Sequence, residues 1–294
     1  MTAGIYRRYR GRLLLPSWTT LAVLMVLPAL LMFVYSFLTK EFRGGVIWEF
    51  TFAAYDQFFL SRGLFGDEPP SMEWTYITIF ARSIAQAAAA TLLCFIVGFP
   101  TAYFIATRDP RQKALWLFLI TIPYWVNLLI RTVSLKFLIR DNGPLNTALL
   151  SLGIVDSPLH LINTNFAVQL GLFYSYLPFM VLPIYAAAER YNFALSEAAA
   201  DLYAPRVMIL WRVLLPGVMP GVVAGAILVF VPSLGAFLAP DLLGGAKNFM
   251  IGSLIEEQFK GNAGNWPFGA AAAMILLSMV LLALLGYARA QAKT

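Results

Sequence analysis

The feature that most constrains this chain is a series of long apolar runs. A helix needs about 20 mainly apolar residues to cross the hydrocarbon core of a bilayer. Six runs of about that length lie near residues 17–38, 76–107, 114–136, 165–188, 218–240 and 267–288. They predict an all-α integral membrane protein with six transmembrane helices, organised as a single domain over residues 1–294.

Composition excludes a soluble fold. Hydrophobic residues make up 60% of the 294 residues and charged residues 12%, whereas about a quarter of a typical soluble domain is charged. One core could not cover so much apolar surface, so the surplus is expected to face membrane lipid. The formal charge of +6 does not indicate a nucleic-acid partner, because the basic residues flank the apolar runs and form no stripe with interleaved aromatics.

The basic residues also predict the orientation in the membrane. Twelve of the 21 Lys and Arg residues lie in the two terminal segments and in the short loops on the same side, and nine lie on the other side, where the loops are longer. Cytoplasmic loops are enriched in these residues, so both termini are expected to be cytoplasmic. The run near residues 17–38 is too long for the core of a signal peptide and is expected to remain as the first transmembrane helix.

Residue types that carry catalysis or hold metals are scarce. The sequence has one cysteine, Cys94, inside an apolar run, and one histidine, His160, in a loop. It contains no Gly-rich nucleotide-binding loop, no HExxH motif and no Gly-x-Ser-x-Gly motif. We therefore expect no enzymatic site, no metal site and no cofactor on this chain. An ion-coupled secondary transporter remains an alternative, although such proteins carry ionisable residues within their spans and no acidic residue lies mid-span here.

The segment between the fourth and fifth runs, residues 189–220, is polar enough to lie in water yet has a helical pattern. Asn192 is a suitable cap, and the residues from 193 to 202 are mostly good helix formers. Pro205 fits the first turn of a second short helix with an apolar side. A short helix pair on the cytoplasmic side is a natural docking element for a soluble partner.

This segment resembles the EAA loop of bacterial ABC importer permeases. That pattern is Glu-Ala-Ala, three residues, Gly, nine residues, Ile, one residue and Leu-Pro. Here Tyr203 replaces the Gly and Val213 replaces the Ile. The residues that we assign to this loop are Glu197, Ala198, Ala199, Tyr203, Arg206, Val213, Leu215 and Pro216. A bulky residue in a left-handed turn costs about 1–2 kcal/mol. Either the turn at Tyr203 differs in shape from that of the family, which we expect, or the strain is accepted because the ring contributes a contact.

The resemblance implies a set of partners. In that family the EAA loop couples the permease to a dimer of cytoplasmic ATPase subunits, which bind ATP and Mg. A second, homologous permease subunit completes the translocation pathway, and a periplasmic solute-binding protein delivers the solute. The resemblance also implies a location in the bacterial inner membrane, with alternating access driven by ATP on the partner.

Further segments resemble the spermidine/putrescine branch of these permeases. They include Gly98-Phe99-Pro100, Pro123-Tyr124-Trp125, Arg131-Thr132 and the stretch from Asp241 to Asn248. This likeness favours polyamines as the solute, while a permease for another small organic solute remains open. Ammonium groups need carboxylates or aromatic faces, and the candidates for the substrate pathway are Asp241, Tyr124, Trp125, Tyr174, Tyr176, Phe230 and Phe237. Asp241 is the leading candidate, with a contact to the binding protein as its alternative role.

Overall fold

The computed structural model describes residues 2–41, 44–61, 71–72, 74–245, 248–260 and 264–291. The described residues are mostly helical and fall into two compact units. One contains Met1–Ile77 with Leu254–Thr294, and the other contains Thr78–Ser253. A single permease domain over residues 1–294 stays a prediction.

The first unit combines two long helices with small β elements. Its helix α1 (Thr2–Tyr35) contacts the C-terminal helix α12 (Trp266–Gln291). None of the apolar stretch Leu14–Tyr35 is buried in the protein, as expected for a helix that faces lipid. The smaller elements are strands β1 (Leu38–Lys40) and β2 (Val46–Phe50), helix α2 (Ala53–Phe59), and strands β3 (Leu60–Ser61) and β4 (Ser71–Met72), with β1–β2 and β3–β4 paired antiparallel.

Aromatic contacts hold the small elements of this unit together. The Phe37 ring lies between 5.1 and 5.5 Å from the rings of Phe33, Phe50, Phe52 and Tyr55. Aromatic pairs at such centroid distances stabilise beyond the area they bury. The paired strands β1 and β2 are therefore held at the end of α1 by side-chain contacts as well as by backbone hydrogen bonds.

The second unit contains most of the helices. In chain order they are α3 (Trp74–Ala106, which begins in the first unit), α4 (Pro110–Trp125), α5 (Leu128–Ile139), α6 (Pro144–Ser151), α7 (Asn165–Glu189), α8 (Ala194–Asp201), α9 (Arg206–Ile209), a π turn (Leu210–Leu214), α10 (Leu215–Leu234), a second π turn (Pro240–Gly244) and α11 (Ile251–Phe259, which ends in the first unit).

Helices α7 and α10 form the centre of this unit. Two glycines on α10 allow the close approach. A Cβ atom added to Gly221 would lie 2.5 Å from the carbonyl oxygen of Pro183, and one added to Gly225 would lie 2.9 Å from the sulfur of Met180. Small residues at helix contacts are the usual means of packing helices in a bilayer, where no hydrophobic effect drives them together.

Buried polar side chains join α3 to α7 and α11. Gln86 on α3 donates through Nε2 to Oδ1 of Asn165 at 2.8 Å, and Gln169 donates to the Gln86 backbone carbonyl at 2.9 Å and to its side-chain oxygen. The hydroxyl of Ser83 accepts a 2.8 Å hydrogen bond from the backbone nitrogen of Ile251. These contacts fix neighbouring helices in register, because an unsatisfied polar group in an apolar interior is costly.

Five of the described helices are long and apolar enough to cross a membrane, or six if one bent pair counts as a span. The predicted third span near 114–136 is interrupted in the structure, and the count of six spans stays a prediction. That segment is divided into α4 and α5, and the axes before and after the break differ by 92°. Pro123 lies in the last turn of α4, and Asn127 starts the next helix as its cap. A continuous apolar run therefore conceals the break.

The predicted second short helix begins as α9 at Arg206 and runs on into the fifth span. Arg206–Leu234 is one helical stretch of 29 residues that includes the π turn Leu210–Leu214. Pro205 lies at the cap of this stretch and not in its first turn. The π turn immediately precedes Leu215-Pro216, where the proline lacks the amide that an α-helix needs. It lets the helix continue past Pro216, and the helix then ends at Leu234 instead of near residue 240.

Replacing Gly221 by alanine is expected to lower the free energy of unfolding of the detergent-purified protein by about 1–3 kcal/mol, and with it the melting temperature. The reason is that the new methyl group meets the Pro183 carbonyl and the Ala187 side chain. Gly286→Ala is the matched control, since nothing lies within 4 Å of an added Cβ there. Melting curves followed by size-exclusion chromatography measure both variants. An equal effect of the two substitutions would contradict the close contact between α7 and α10.

Candidate functional site

The break between α4 and α5 lies within the apolar part of the chain. Helix α4 has 16 residues and is therefore about 24 Å long, less than the roughly 30 Å of hydrocarbon core. Asn127 accepts a 2.8 Å hydrogen bond from the backbone nitrogen of Leu129 through its side chain. This cap satisfies one of the free amides that begin every helix. Broken helices of this kind are tolerated in a membrane where they line a cavity or contact protein.

A cavity of about 500 Å³ opens at this break. Its wall comes from the end of α4, the start of α5 and the middle of α7, namely Tyr124, Trp125, Val126, Asn127, Leu128, Arg131, Ser175 and Tyr176. Three aromatic side chains and one guanidinium group therefore share a small space.

Arg131 is the only charged side chain in that wall. It is 7% exposed, and its Nη2 donates to the carbonyl oxygen of Val126 at 2.9 Å. Its Cζ lies 5.2 Å from the ring centre of Tyr124 and 5.8 Å from that of Tyr174. Both distances fall within the range of a cation–π contact. The charge at this cavity is thus a single positive group that contacts two aromatic rings.

A second break follows α10. After Leu234 the chain runs through Gly235 to the π turn Pro240–Gly244, and a smaller cavity of about 100 Å³ lies beside it. Leu128, Ser175 and Tyr176 line both cavities. The Tyr176 hydroxyl donates to the carbonyl oxygen of Pro232 at 3.3 Å. Two interrupted helices therefore flank the same side of α7.

Gly252 allows helix α11 to pack against this second break. A Cβ added to Gly252 would lie 2.5 Å from the carbonyl oxygen of Gly235 and 2.6 Å from that of Ala236. The next residue, Ser253, is buried, and its hydroxyl donates to the carbonyl oxygen of Phe237 at 3.4 Å. The start of α11 thus covers the carbonyl end of α10, which has no intrahelical partners.

The structure brings together part of the predicted substrate pathway. Tyr124, Trp125 and Tyr176 line the larger cavity, and Phe237 lines the smaller one with Tyr176. Tyr174 lies beside the larger cavity through its contact with Arg131.

Two predicted pathway residues lie apart from these walls. Phe230 is half-buried on α10, and Asp241 is exposed on the π turn. The sequence reasoning overlooked Arg131 as a site residue. An ionisable residue within an apolar run was the signal that could have identified it.

The turn at Tyr203 is left-handed. Its φ angle is +60°, so the expectation of a differently shaped turn was wrong, and the strain expected of a tyrosine in this conformation is present. Among the described residues the ring gains almost no contact, since Tyr203 is 97% exposed and the preceding Leu202 is 82% exposed. Two large apolar side chains therefore project from the turn that joins α8 to α9.

A cavity of about 800 Å³ lies beside this turn. Its wall includes the end of α3 and both helices of the turn, with Tyr103, Arg108, Phe193, Glu197, Ala200 and Arg206 among its residues. Glu197, Ala198 and Arg206 are exposed, whereas Ala199, Val213 and Leu215 are half-buried. Pro216 is exposed at the start of α10. The predicted coupling residues therefore divide into an exposed group on the turn and a group that packs into the helix.

Comparison with known proteins identifies the family. Residues 95–292 match the family described as binding-protein-dependent transport system inner membrane component. The chain belongs to this family. It is a multi-pass membrane permease and not an enzyme, which agrees with the lack of catalytic motifs in its sequence.

Individual relatives show which members of the family the chain is similar to. The permease is 38% identical over 270 residues to the spermidine/putrescine transport system permease protein PotB of Escherichia coli (strain K12). The aligned residues cover 92% of this chain and 93% of that protein. It is 37% identical over 274 residues to PotB of Haemophilus influenzae, covering 93% and 90% of the two chains. Among solved structures, a bacterial ABC transporter that imports the acidic polysaccharide alginate has a TM-score of 0.61 at 16% identity, covering 98% of the permease and 97% of that chain, so it shares the fold.

Replacing Gly252 by alanine is expected to destabilise the second break. The new methyl group would meet two backbone carbonyls that cannot move aside cheaply, so we expect a loss of about 1–3 kcal/mol and faster amide exchange over residues 235–244. Gly235→Ala is the control from the same contact, because the nearest atom to an added Cβ there is 4.0 Å away. Hydrogen–deuterium exchange measures both. Equal exchange in the two variants would contradict the role of Gly252.

Proposed function

We propose that this chain is one of two permease subunits of an ABC importer for polyamines such as spermidine and putrescine. The observation that carries the proposal is the 38% identity to the E. coli permease PotB over nearly the whole of both chains. The proposed arrangement has six spans, both termini in the cytoplasm and the bacterial inner membrane as its location.

Aromatic chemistry in the candidate pathway supports a cationic solute. A polyamine presents several ammonium groups joined by short methylene chains, and such groups are stabilised over the faces of aromatic rings. Tyr124, Tyr176 and Phe237 line the adjoining cavities of the second unit. Asp241 is exposed on the nearby π turn and would attract the solute electrostatically as it arrives.

The exposed turn between α8 and α9 supports coupling to an ATPase. It places Glu197 and Arg206 at the wall of one cavity, where charges of both signs orient a docking partner. In the proposed cycle, a periplasmic binding protein delivers solute to this permease and to a second, homologous one. A dimer of ATPase subunits binds ATP and Mg and closes. The turn between α8 and α9 transmits the closure of that dimer to the permease. A structural relative, the bacterial alginate ABC transporter, was solved in complex with an alginate pentasaccharide-bound periplasmic protein.

Tyr203 is the proposed anchor of that docking surface. A left-handed tyrosine costs about 1–2 kcal/mol relative to glycine, and no contact within the described part of the chain offsets that cost, since the ring is almost fully exposed. A contact in the assembled transporter would offset it. Aromatic side chains are favoured anchors because they bury a large apolar area while few torsions become fixed.

A second candidate function is an importer for a small anionic solute. The observation that favours it is Arg131, which places a positive charge in the larger cavity without a carboxylate in its wall. A guanidinium group binds carboxylates and phosphates through paired hydrogen bonds. The two candidates differ in the charge of the solute that the assembled importer carries.

Co-purification and uptake assays test the main proposal. The tagged protein, extracted from its native membranes, is expected to bring with it an ATPase and a second permease, and the reconstituted complex with its binding protein is expected to take up labelled spermidine in an ATP-dependent manner. Isolation of the chain alone, or uptake of an anionic solute instead, would contradict the polyamine importer.

Asp241→Asn is expected to lower spermidine uptake several-fold, because it removes a charge that attracts the solute near the pathway. Asp156→Asn is the matched control, since Asp156 is also an exposed carboxylate and lies in the loop between α6 and α7. Initial uptake rates over a range of spermidine concentrations provide the measurement. Unchanged rates in Asp241→Asn would remove Asp241 from the pathway.

Tyr203→Gly tests the backbone strain of the turn and the docking of the ATPase as two separate effects. Removal of the left-handed tyrosine should leave the isolated permease at least as stable, while loss of the ring should weaken association with the ATPase about 10-fold or more. Tyr203→Phe keeps the ring and should bind like the wild type. Thermal stability and ATPase titration provide the two readouts. Unweakened binding of the ATPase by the glycine variant would refute the anchor.

A further inference from the structure

One charged side chain in the second unit is buried without a counter-ion. Arg131, in the first turn of α5, is 7% exposed, and its Nε atom has no hydrogen-bond partner among the described residues. No ion pair found in the described part of the chain includes it. An arginine keeps its charge in a protein, so this position holds a full positive charge whose surroundings must compensate for lost hydration.

Two aromatic rings provide much of that compensation. The guanidinium carbon lies 5.2 Å from the ring centre of Tyr124 on α4 and 5.8 Å from that of Tyr174 on α7. The negative face of an aromatic ring attracts a cation at such distances. These rings come from two helices and meet at the broken span, so together they form a site for a cation. In this structure the protein's own guanidinium fills that site.

A polyamine needs the same kind of site. One pair of aromatic faces cannot hold the guanidinium and a substrate ammonium at once, and the two positive charges also repel each other. We propose that Arg131 is a resident cation that occupies the Tyr124–Tyr174 site and closes the pathway to polyamines in this conformation. The proposal deepens the polyamine function proposed above and rests on it.

The broken span gives the guanidinium a way to leave the site. Arg131 belongs to α5, and its Nη2 is bonded at 2.9 Å to the carbonyl oxygen of Val126, which lies in the break itself. The ring of Tyr124 belongs to α4, on the other side of the break. A rotation of α5 relative to α4 would therefore change the distance between the cation and this ring, and could withdraw one from the other. The site would then be free for substrate in the alternate state of the transport cycle.

A matched control residue lies at the other end of α5. Arg140 follows the last residue of α5, and its guanidinium carbon lies 5.1 Å from the ring centre of Phe137. Arg140 is exposed and Arg131 is buried. The same substitution at the two positions removes the same charge and the same type of contact, but only one of them empties the buried site.

The test uses the complete importer in proteoliposomes that are loaded with labelled spermidine. We measure ATP-independent release of spermidine and ATP-driven uptake for the wild type, Arg131→Gln, Arg131→Lys and Arg140→Gln. Arg131→Gln is expected to raise release by about 5- to 20-fold, because the cation no longer competes for the rings. Arg131→Lys keeps the charge without the planar group and should raise release about 2-fold. Arg140→Gln should match the wild type.

Added methylguanidinium separates a vacated site from a damaged fold. At millimolar concentration it is expected to suppress the release from Arg131→Gln, because it refills the site, and to leave Arg140→Gln unchanged. A packing defect would not be restored in this way. Where Arg131→Gln does not assemble, Arg131→Lys decides, and wild-type release from that variant overturns the proposal.

The two proposals fail in different ways. If the wild-type importer takes up no polyamine, the proposed function fails. If it takes up spermidine but Arg131→Gln releases it no faster than the wild type does, the resident-cation proposal fails while the polyamine function stands. Loss of uptake in both Arg131 variants without any release would indicate a structural ion pair with another subunit and would also overturn it.

Discussion

The need to satisfy every backbone polar group without water governs this structure. A bilayer interior offers no hydrogen bonds to the chain, so a helix that breaks there must be completed by protein groups. The first break is completed by the side chain of Asn127, which caps α5, and by the guanidinium group of Arg131, which donates to the Val126 carbonyl. At the second break, the start of α11 lies against the carbonyls of Gly235 and Ala236. The breaks are therefore built features of the fold.

This constraint explains why the candidate pathway lies where it does. A straight helix presents only side chains to its surroundings, whereas an interrupted one also leaves space for a cavity and backbone groups to line it. The two interruptions lie along α7, which supplies Ser175 and Tyr176 to the cavities beside both. Helix α7 itself is held by the close contacts of Gly221 and Gly225 and by the hydrogen bonds of Gln86 and Gln169. The packing of α7 thus determines the geometry of the site.

Strain and a buried charge without a counter-ion occur at the two places where the proposed mechanism needs a partner. Tyr203 holds a left-handed turn and exposes its ring, and Arg131 holds a buried charge against two aromatic faces. Each is costly for the isolated chain, and costs of this kind cluster at functional sites. We propose docking of an ATPase as the reason for the first and competition with a cationic solute as the reason for the second.

Much of the protein was readable from its sequence. The apolar runs identified a multi-pass membrane protein, because hydrocarbon thickness sets the length of a spanning helix, and the Glu197-Ala198-Ala199 pattern with Leu215-Pro216 identified the family. The pattern could not show the break at Asn127, since apolar residues continue through it, nor the left-handed turn at Tyr203, where local preference points the other way.

Only the tertiary structure decided how Arg131 is used. Its sequence context shows a basic residue in an apolar run, but the ring of Tyr174 reaches it from α7, and the ring of Tyr124 reaches it across the break between α4 and α5. The physical reason is that the length and hydrophobicity of a spanning helix are properties of one local run of residues. A cation site is made by side chains that meet only when helices pack.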